Sequence, residues 1–251
     1  MRDLLLIGIG PGDPRQVTYE AVDALRRATV FFVIDKGSDK DELISQRKAI
    51  VERYRPQGDY RLVQVADPRR DAEAADYVTA VQDWHRQRAA LYARLIADEM
   101  SSDDIGAFLL WGEPGLYDST LRILQLVRER GVSLRLQVIP GISSVQALAA
   151  RHQVPLNRIG EPLVVLPGRR LAQQGQIDNV VVMLDGQCAF ARIDDPGLVI
   201  YWGAYLGTED EVLIAGPLQA VKGRILQVRE EARRRKGWIM DTYLLRRESW
   251  T

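Results

Sequence analysis

Leu4-Leu5-Leu6-Ile7-Gly8-Ile9-Gly10-Pro11-Gly12-Asp13-Pro14 is an apolar run that breaks into a glycine-rich loop. Such a run, ended by turn formers, predicts a strand buried on both faces. Beyond the loop, Val17, Ala21 and Ala24-Leu25 recur at helical spacing, so a helix follows. Strand, tight loop and helix in this order set an α/β class. In such a unit the ligand sits outside the carboxyl end of the strand, where glycines let backbone approach it.

A dinucleotide fingerprint needs a third glycine three positions after the second, and Asp13 stands there. Pro11 also removes an amide that would face a pyrophosphate. The loop alone therefore does not argue for a nicotinamide cofactor. Two later segments repeat the pattern of apolar strand, small-residue loop and helix. They are Phe108-Leu109-Leu110-Trp111-Gly112-Glu113-Pro114-Gly115-Leu116-Tyr117-Asp118-Ser119-Thr120 and Leu136-Gln137-Val138-Ile139-Pro140-Gly141-Ile142-Ser143-Ser144.

Together the segments GIGPGDPRQVT, GEPGLYDS and PGISSVQALAARHQVPL stand in the order of three motifs of one family. The chain resembles, almost end to end, the S-adenosylmethionine-dependent tetrapyrrole (precorrin) methyltransferases. Within that family it is most similar to the deacetylating C-1 methylases of cobalamin synthesis. Val33-Ile34-Asp35-Lys36-Gly37, the Trp111-Gly112-Glu113-Pro114 variant and Tyr201-Trp202-Gly203-Ala204-Tyr205-Leu206-Gly207 carry this finer likeness. Two positions depart from the family pattern: Glu113 stands for an aspartate and Asp118 for a glycine.

The resemblance implies two α/β domains with a cofactor and substrate cleft between them, divided by the sequence into residues 1–112 and 113–251. It implies S-adenosyl-L-methionine as methyl donor, bordered by Pro11, Trp111, Gly112, Glu113, Leu116, Ser143, Ser144, Met183 and Ala204. It also implies methylation of precorrin-5 at C-1 with loss of an acetyl group as acetate. Asp35 matches a carboxylate that faces the macrocycle in the family, a candidate base for the activated water, and Lys36 is a candidate for orienting carboxylates or the leaving acyl oxygen. Arg69 and Arg70 follow a predicted strand, and their forked donors suit the acetate and propionate groups of such a substrate. A homodimer is implied as well. Another precorrin methylase, or a nucleotide-binding module without transferase activity, are the other readings of the same motifs.

The remainder of the chain bounds these readings. Lys plus Arg and Asp plus Glu both number 34, so bulk charge favours neither a nucleic-acid nor an anionic-membrane partner. One cysteine, Cys188, permits no internal disulfide framework and suggests a reducing, cytoplasmic setting. No apolar run approaches the roughly 18 residues of a membrane span, and the first residues enter a strand instead of a signal segment. The two histidines, His85 and His152, belong to no metal-ligand cluster, and no GxSxG elbow is present. Hence no metal is expected, and neither a metallohydrolase nor a serine hydrolase is supported.

Further strands are predicted at 29–34, 60–65, 107–111, 134–139, 163–167, 180–184, 198–202 and 211–216, with a strand-like end at Trp238-Ile239-Met240. Residues 37–55 place Leu43, Arg47, Ile50-Val51 and Tyr54 at helical spacing, an amphipathic surface helix whose charges form its wet face. Residues 72–100 predict one or two helices with an apolar stripe interrupted by Arg88. Trp84 and Tyr92 read as core, with lining of a substrate cleft as the alternative. A short helix through Leu218 and Val221 precedes the basic run Arg233-Arg234-Arg235-Lys236, read as a solvated helix end.

Overall fold

A computed structural model describes residues 1–35, 41–56, 58–69 and 76–247. The chain divides into two compact units, Met1–Gly10 with Pro14–Ile142, and Pro11–Asp13 with Ser143–Thr251.

The first unit is a parallel sheet of five strands: β1 (Arg2–Gly8), β2 (Val30–Asp35), β3 (Arg61–Ala66), β4 (Ile105–Leu110) and β5 (Leu134–Ile139). Their spatial order is β3-β2-β4-β1-β5. Four α-helices connect them: α1 (Tyr19–Arg27), α2 (Asp41–Tyr54), α3 (Tyr77–Glu99) and α4 (Thr120–Glu129). Alternation along the strands explains the unbroken apolar run. Leu4, Leu6, Phe32 and Phe108 pack with Tyr92, Leu95 and Ile96 of α3 and with Ile123 and Leu124 of α4. Leu5, Ile7, Phe31 and Leu109 pack with Ala21, Leu25, Ile50 and Val51 of α1 and α2. A parallel strand with a helix layer on each side has no wet face.

Local chemistry fixes where the helices begin and end. The Thr18 hydroxyl accepts the Ala21 amide at 3.1 Å and caps α1. At the other end of α1, buried Arg55 donates to the carbonyls of Leu25, Arg26 and Ala28 at 3.0, 2.7 and 2.6 Å. Those acceptors would otherwise be orphaned by the helix terminus.

Because β5 hydrogen-bonds to β1, the first unit runs on to Ile142, past the 112/113 boundary that the motif order suggested. β4 does end just before this point, at Leu110, but the chain after it returns to the same sheet.

The second unit is a mixed sheet. It consists of β6 (Val164–Pro167), β7 (Val180–Met183), β8 (Leu198–Ala204), β9 (Val212–Pro217) and β10 (Asp241–Arg247), ordered β6-β7-β10-β8-β9. β6 and β7 are parallel, and the other pairings are antiparallel. Helices α5 (Ser144–His152), α6 (Gly168–Leu171) and α7 (Leu218–Lys236) complete it.

Two expectations are corrected here. The terminal strand lies at Asp241–Arg247, not at Trp238-Ile239-Met240, and it is the middle strand of its sheet. The helix before it is not short: α7 has 19 residues, takes in the basic run and closes at Gly237 with φ 75°.

The middle strand is tied down by a buried polar network. Arg229 Nε donates to Asp241 Oδ2 at 2.9 Å, Trp202 Nε1 donates to the same oxygen at 3.0 Å, and Arg229 Nη2 donates to the Asp185 carbonyl at 2.8 Å. Tyr243 donates its hydroxyl to Asp185 Oδ2 at 2.6 Å, and burial beside that carboxylate pushes the phenol far above its ordinary range. The Arg229 and Asp241 side chains are 9% and 5% exposed, so loss of one partner strands a charge.

In the first unit the backbone closes tightly at the carboxyl ends of β1, β4 and β5. A Cβ on Gly141 would lie 2.1 Å from the Gly112 carbonyl oxygen and 2.9 Å from Gly8 Cα. A Cβ on Gly8 would meet the Gly141 nitrogen at 2.6 Å.

These contacts yield two stability predictions, both read by urea denaturation. Gly141→Ala should cost about 3 kcal/mol or more, the upper end of overpacking. Gly131→Ala, at φ 87° but with open space around it, should cost only about 1–2 kcal/mol. Equal losses would show that the loops relax around the added carbon, so that the close approach does not set the demand for glycine at 141. Arg229→Met should cost about 3–5 kcal/mol, and adding Asp241→Leu should recover part of that loss. A double variant weaker than Arg229→Met alone would contradict the stranded-charge account.

Candidate functional site

The three small-residue loops leave the carboxyl ends of β1, β4 and β5, and in the first unit they are joined through backbone. Gly10 and Gly112 form an isolated antiparallel bridge, with the Gly112 amide donating to the Gly10 carbonyl at 2.8 Å and the reverse bond at 3.3 Å. Gly112 has φ 70°, a conformation that suits glycine.

Glu113 then links two of the loops. Its Oε1 accepts the Gly115 amide at 2.8 Å, and its Oε2 accepts the Gly141 amide at 2.8 Å. The carboxylate thus spans the loop after β4 and the Pro140-Gly141 turn after β5. The methylene that distinguishes it from the aspartate of the family pattern adds reach. Both oxygens hold chain amides, which fixes the carboxylate as a brace.

Other candidates nearby are ordered by local bonds. Trp111 is half-buried and packs against the α1 and α2 core layer. Leu116 is half-buried, its amide donating to the Glu113 carbonyl at 3.2 Å. Asp118, just before the N-cap Ser119, accepts the Thr120 amide at 2.6 Å, so the residue that replaces the family glycine holds the first amide of α4.

Asp35 closes β2, and Gln64 on β3 donates to its Oδ2 at 3.1 Å. Arg69 is exposed beyond the end of β3. Lys36 and Arg70 lie outside the described residues.

Asp67 and Arg88 form an ion pair at 2.8 Å with side chains 8% and 7% exposed. The Arg88 guanidinium carbon lies 4.6 Å from the centre of the Trp84 ring and 5.3 Å from that of Tyr92. This explains the arginine that interrupts the stripe of α3: it is buried with a carboxylate from the chain after β3. Tyr92 is core, and burial pushes its phenol above the ordinary value. Sequence pattern alone did not reveal this pair, because nothing in the spacing of Asp67 and Arg88 announces a contact.

The second unit holds the other group. Pro11 is buried, and Gly12 follows it so closely against residues 206–208 that a Cβ there would lie 2.7 Å from Thr208 Cγ2. Ser143 is the N-cap of α5 in a capping box with Gln146, its amide donating to Gln146 Oε1 at 2.8 Å, and Ser144 begins the helix half-buried. Met183 and Ala204 end β7 and β8 and pair with Thr242 and Asp241 of β10. They therefore flank the same end of the middle strand, about 10 Å apart across two strand spacings. The Arg229–Asp241–Trp202 network lies at that end.

Among the described residues no group of three or more His, Cys, Asp and Glu side chains is placed to hold a metal ion. Among the described residues no helix is long and apolar enough to cross a membrane.

Comparison with known proteins gives the arrangement a family. Residues 3–222 match the model of the tetrapyrrole (corrin/porphyrin) methylases. The precorrin-6A synthase [deacetylating] of Sinorhizobium sp is 48% identical over 250 residues, which cover 98% of this chain and 96% of the relative. The crystal structure of a cobalamin synthesis related protein (CobF) from Corynebacterium diphtheriae superposes with a TM-score of 0.87 at 37% identity, covering 99% of this chain and all of that one. Uroporphyrin-III-C-methyltransferase from Thermus thermophilus, at 18% identity and TM-score 0.62 over 97% of this chain and 91% of its own, shares the fold. With strand-end glycine loops in place and the match running through 220 of its residues, from 3 to 222, the chain belongs to the tetrapyrrole methylase family.

Proposed function

We propose that this protein is an S-adenosylmethionine-dependent C-methyltransferase of corrin synthesis that acts on precorrin-5 at C-1, releases acetate and gives precorrin-6A. The near-complete match to a deacetylating precorrin-6A synthase carries this reading. S-adenosylmethionine supplies the methyl as an activated sulfonium group.

The residues present suit that cofactor. Glycines at the ends of β1 and β4 bring bare backbone to the rim, and Met183 and Ala204 give apolar atoms at the rim of the other sheet. On this reading Pro11, Trp111, Gly112, Leu116, Ser143, Ser144, Met183 and Ala204 border the cofactor, and Glu113 holds its loop in shape.

Methyl transfer is an in-line displacement, so positioning and exclusion of water do most of the work. The carbon nucleophile forms its new bond to the methyl as the carbon–sulfur bond breaks. Deacetylation needs more: water adds to the acetyl carbonyl, the carbon–carbon bond to the macrocycle breaks, and the electron pair stays with the macrocycle. Asp35, at the carboxyl end of β2, is the base proposed to take the water proton. Lys36 orients the leaving acyl oxygen or a substrate carboxylate, and Arg69 and Arg70 clamp substrate carboxylates. The reading also includes a homodimer working in the cytoplasm without a metal ion.

Calorimetric titration with S-adenosylhomocysteine should show micromolar binding and no binding of NADH. Incubation with precorrin-5 and labelled methyl donor should give one methylated product and one equivalent of acetate. A methylated product without acetate would move the reaction to another ring carbon.

Asp35→Asn should leave S-adenosylhomocysteine affinity within about twofold while lowering turnover by about 100-fold, the scale of a lost general base. Full activity in that variant would reduce Asp35 to a turn residue.

A further inference from the structure

The ladder between β2 and β4 ends early. It pairs Val30, Phe31 and Phe32 with Gly106, Ala107 and Phe108, whereas β2 stays paired with β3 as far as Asp35. Beyond Phe32 the two neighbouring strands therefore part. β2 leads into α2 on one face of the sheet, and β4 leads into α4 on the other. Neighbouring strands whose connections leave to opposite faces open a crevice at their carboxyl ends, the usual ligand position of an open parallel sheet.

Arg47 of α2 occupies this fork. Its Nε donates to the Leu109 carbonyl at 3.1 Å, the first β4 acceptor that β2 no longer reaches, and its Nη1 donates to the Leu43 carbonyl at 2.8 Å. Both acceptors are neutral. A guanidinium has five N–H donors, and these bonds use two. Among the described residues no carboxylate forms an ion pair with Arg47. Burial pushes its guanidinium below the ordinary value, while Asp118 and Tyr92 act on it through space in the opposite sense. A neutral donor would serve the Leu109 carbonyl equally well, so the scaffold itself does not call for the charge. Holding a half-buried cation without an ion-pair partner costs stability unless a ligand supplies one.

We propose that Arg47 anchors a carboxylate of the substrate macrocycle at the fork between β2 and β4, through the guanidinium edge that the two carbonyls leave open. This inference rests on the tetrapyrrole methylase reading and deepens it by naming a substrate-binding side chain. Asp35 closes the strand on one side of the fork, and Trp111 follows the strand on the other. An arginine fork matches a carboxylate in two-point geometry, so it would fix the orientation of the macrocycle as well as hold it.

The test uses uroporphyrin III, a stable macrocycle whose rim carries acetate and propionate groups, titrated by fluorescence into the full-length protein. Arg47→Gln should weaken uroporphyrin binding about tenfold or more, as expected for a lost charge-assisted bond. Its S-adenosylhomocysteine affinity should stay within about twofold. Unchanged uroporphyrin affinity in the folded variant would overturn the proposal.

A second measurement avoids the variant. Phenylglyoxal should modify Arg47 of the wild-type protein, and uroporphyrin should slow that modification, as read by peptide mass spectrometry. Absence of modification, or modification that uroporphyrin does not slow, would equally overturn the assignment. Wild-type protein that binds S-adenosylhomocysteine but not uroporphyrin would refute the anchor and leave the methyltransferase reading standing. Failure to bind either would remove both.

Discussion

The approach of backbone to backbone at Gly8, Gly112 and Gly141 is the constraint on which the first unit depends. Three chain segments converge at the carboxyl ends of β1, β4 and β5, and at Gly8 and Gly141 a single carbon more would overlap main-chain atoms of a neighbour. Such contact excludes water and side chains from the join, so the loops cannot drift apart without losing the Gly10–Gly112 bridge as well. Glu113 adds the electrostatic half of the same device. One carboxylate satisfies amides from two of the three loops, which couples their positions.

The second unit solves a different problem. Its middle strand is the last in sequence and has to insert between β7 and β8, which are already joined by a long connection. Buried polar groups specify that insertion. Asp241 accepts from Arg229 and Trp202, and Tyr243 reaches Asp185, so a shift of register by one residue would turn these groups away from their partners. Burial raises the pKa of Asp241, while Arg229 and Trp202 favour its ionised form. A well-packed apolar set could hold the strand with equal or greater stability, but it would tolerate slippage more readily. The register matters because it brings Met183 and Ala204 to the same end of β10.

β1, β2, β4, β7 and β8 were legible in the sequence because each is almost wholly buried and reads as an apolar run, as in Leu4-Leu5-Leu6-Ile7 and Val180-Val181-Val182, whereas the more exposed β3 shows itself by alternation. The loops were legible for the same reason in reverse: glycine, proline and serine at the end of such a run break the strand and turn the chain. What escaped notice were contacts between residues far apart in the chain. The apolar Trp238-Ile239-Met240 draws the strand away from β10, whose end carries Arg246 and Arg247, yet Arg246 is buried, donates to the Pro155 carbonyl and lies over the Tyr201 ring. Glu113 stands beside the cofactor by motif alone, and no local pattern reveals its bond to an amide 28 residues away at Gly141. Arg47 looked like part of a wet helix face, because helical spacing cannot say where a neighbouring ladder stops.

These misreadings share a cause that bears on the proposed chemistry. A displacement at a sulfonium carbon is accelerated chiefly by holding the two reacting atoms in line, and loosening of the order of an ångström would cost much of that advantage. Rigidity of the loops is therefore a chemical requirement as well as a structural one. Side chains that would normally be assigned to catalysis by type are used here to supply it. Glu113 holds amides, Asp118 holds the first amide of α4, Asp67 neutralises Arg88, and Ser143 closes a capping box. The three loop motifs are rich in glycine and proline because their task is to make a surface of fixed backbone. In such a site a charged group whose bonding capacity is filled by the scaffold belongs to the scaffold. A charged group left unmatched by the scaffold is the place to look for the substrate.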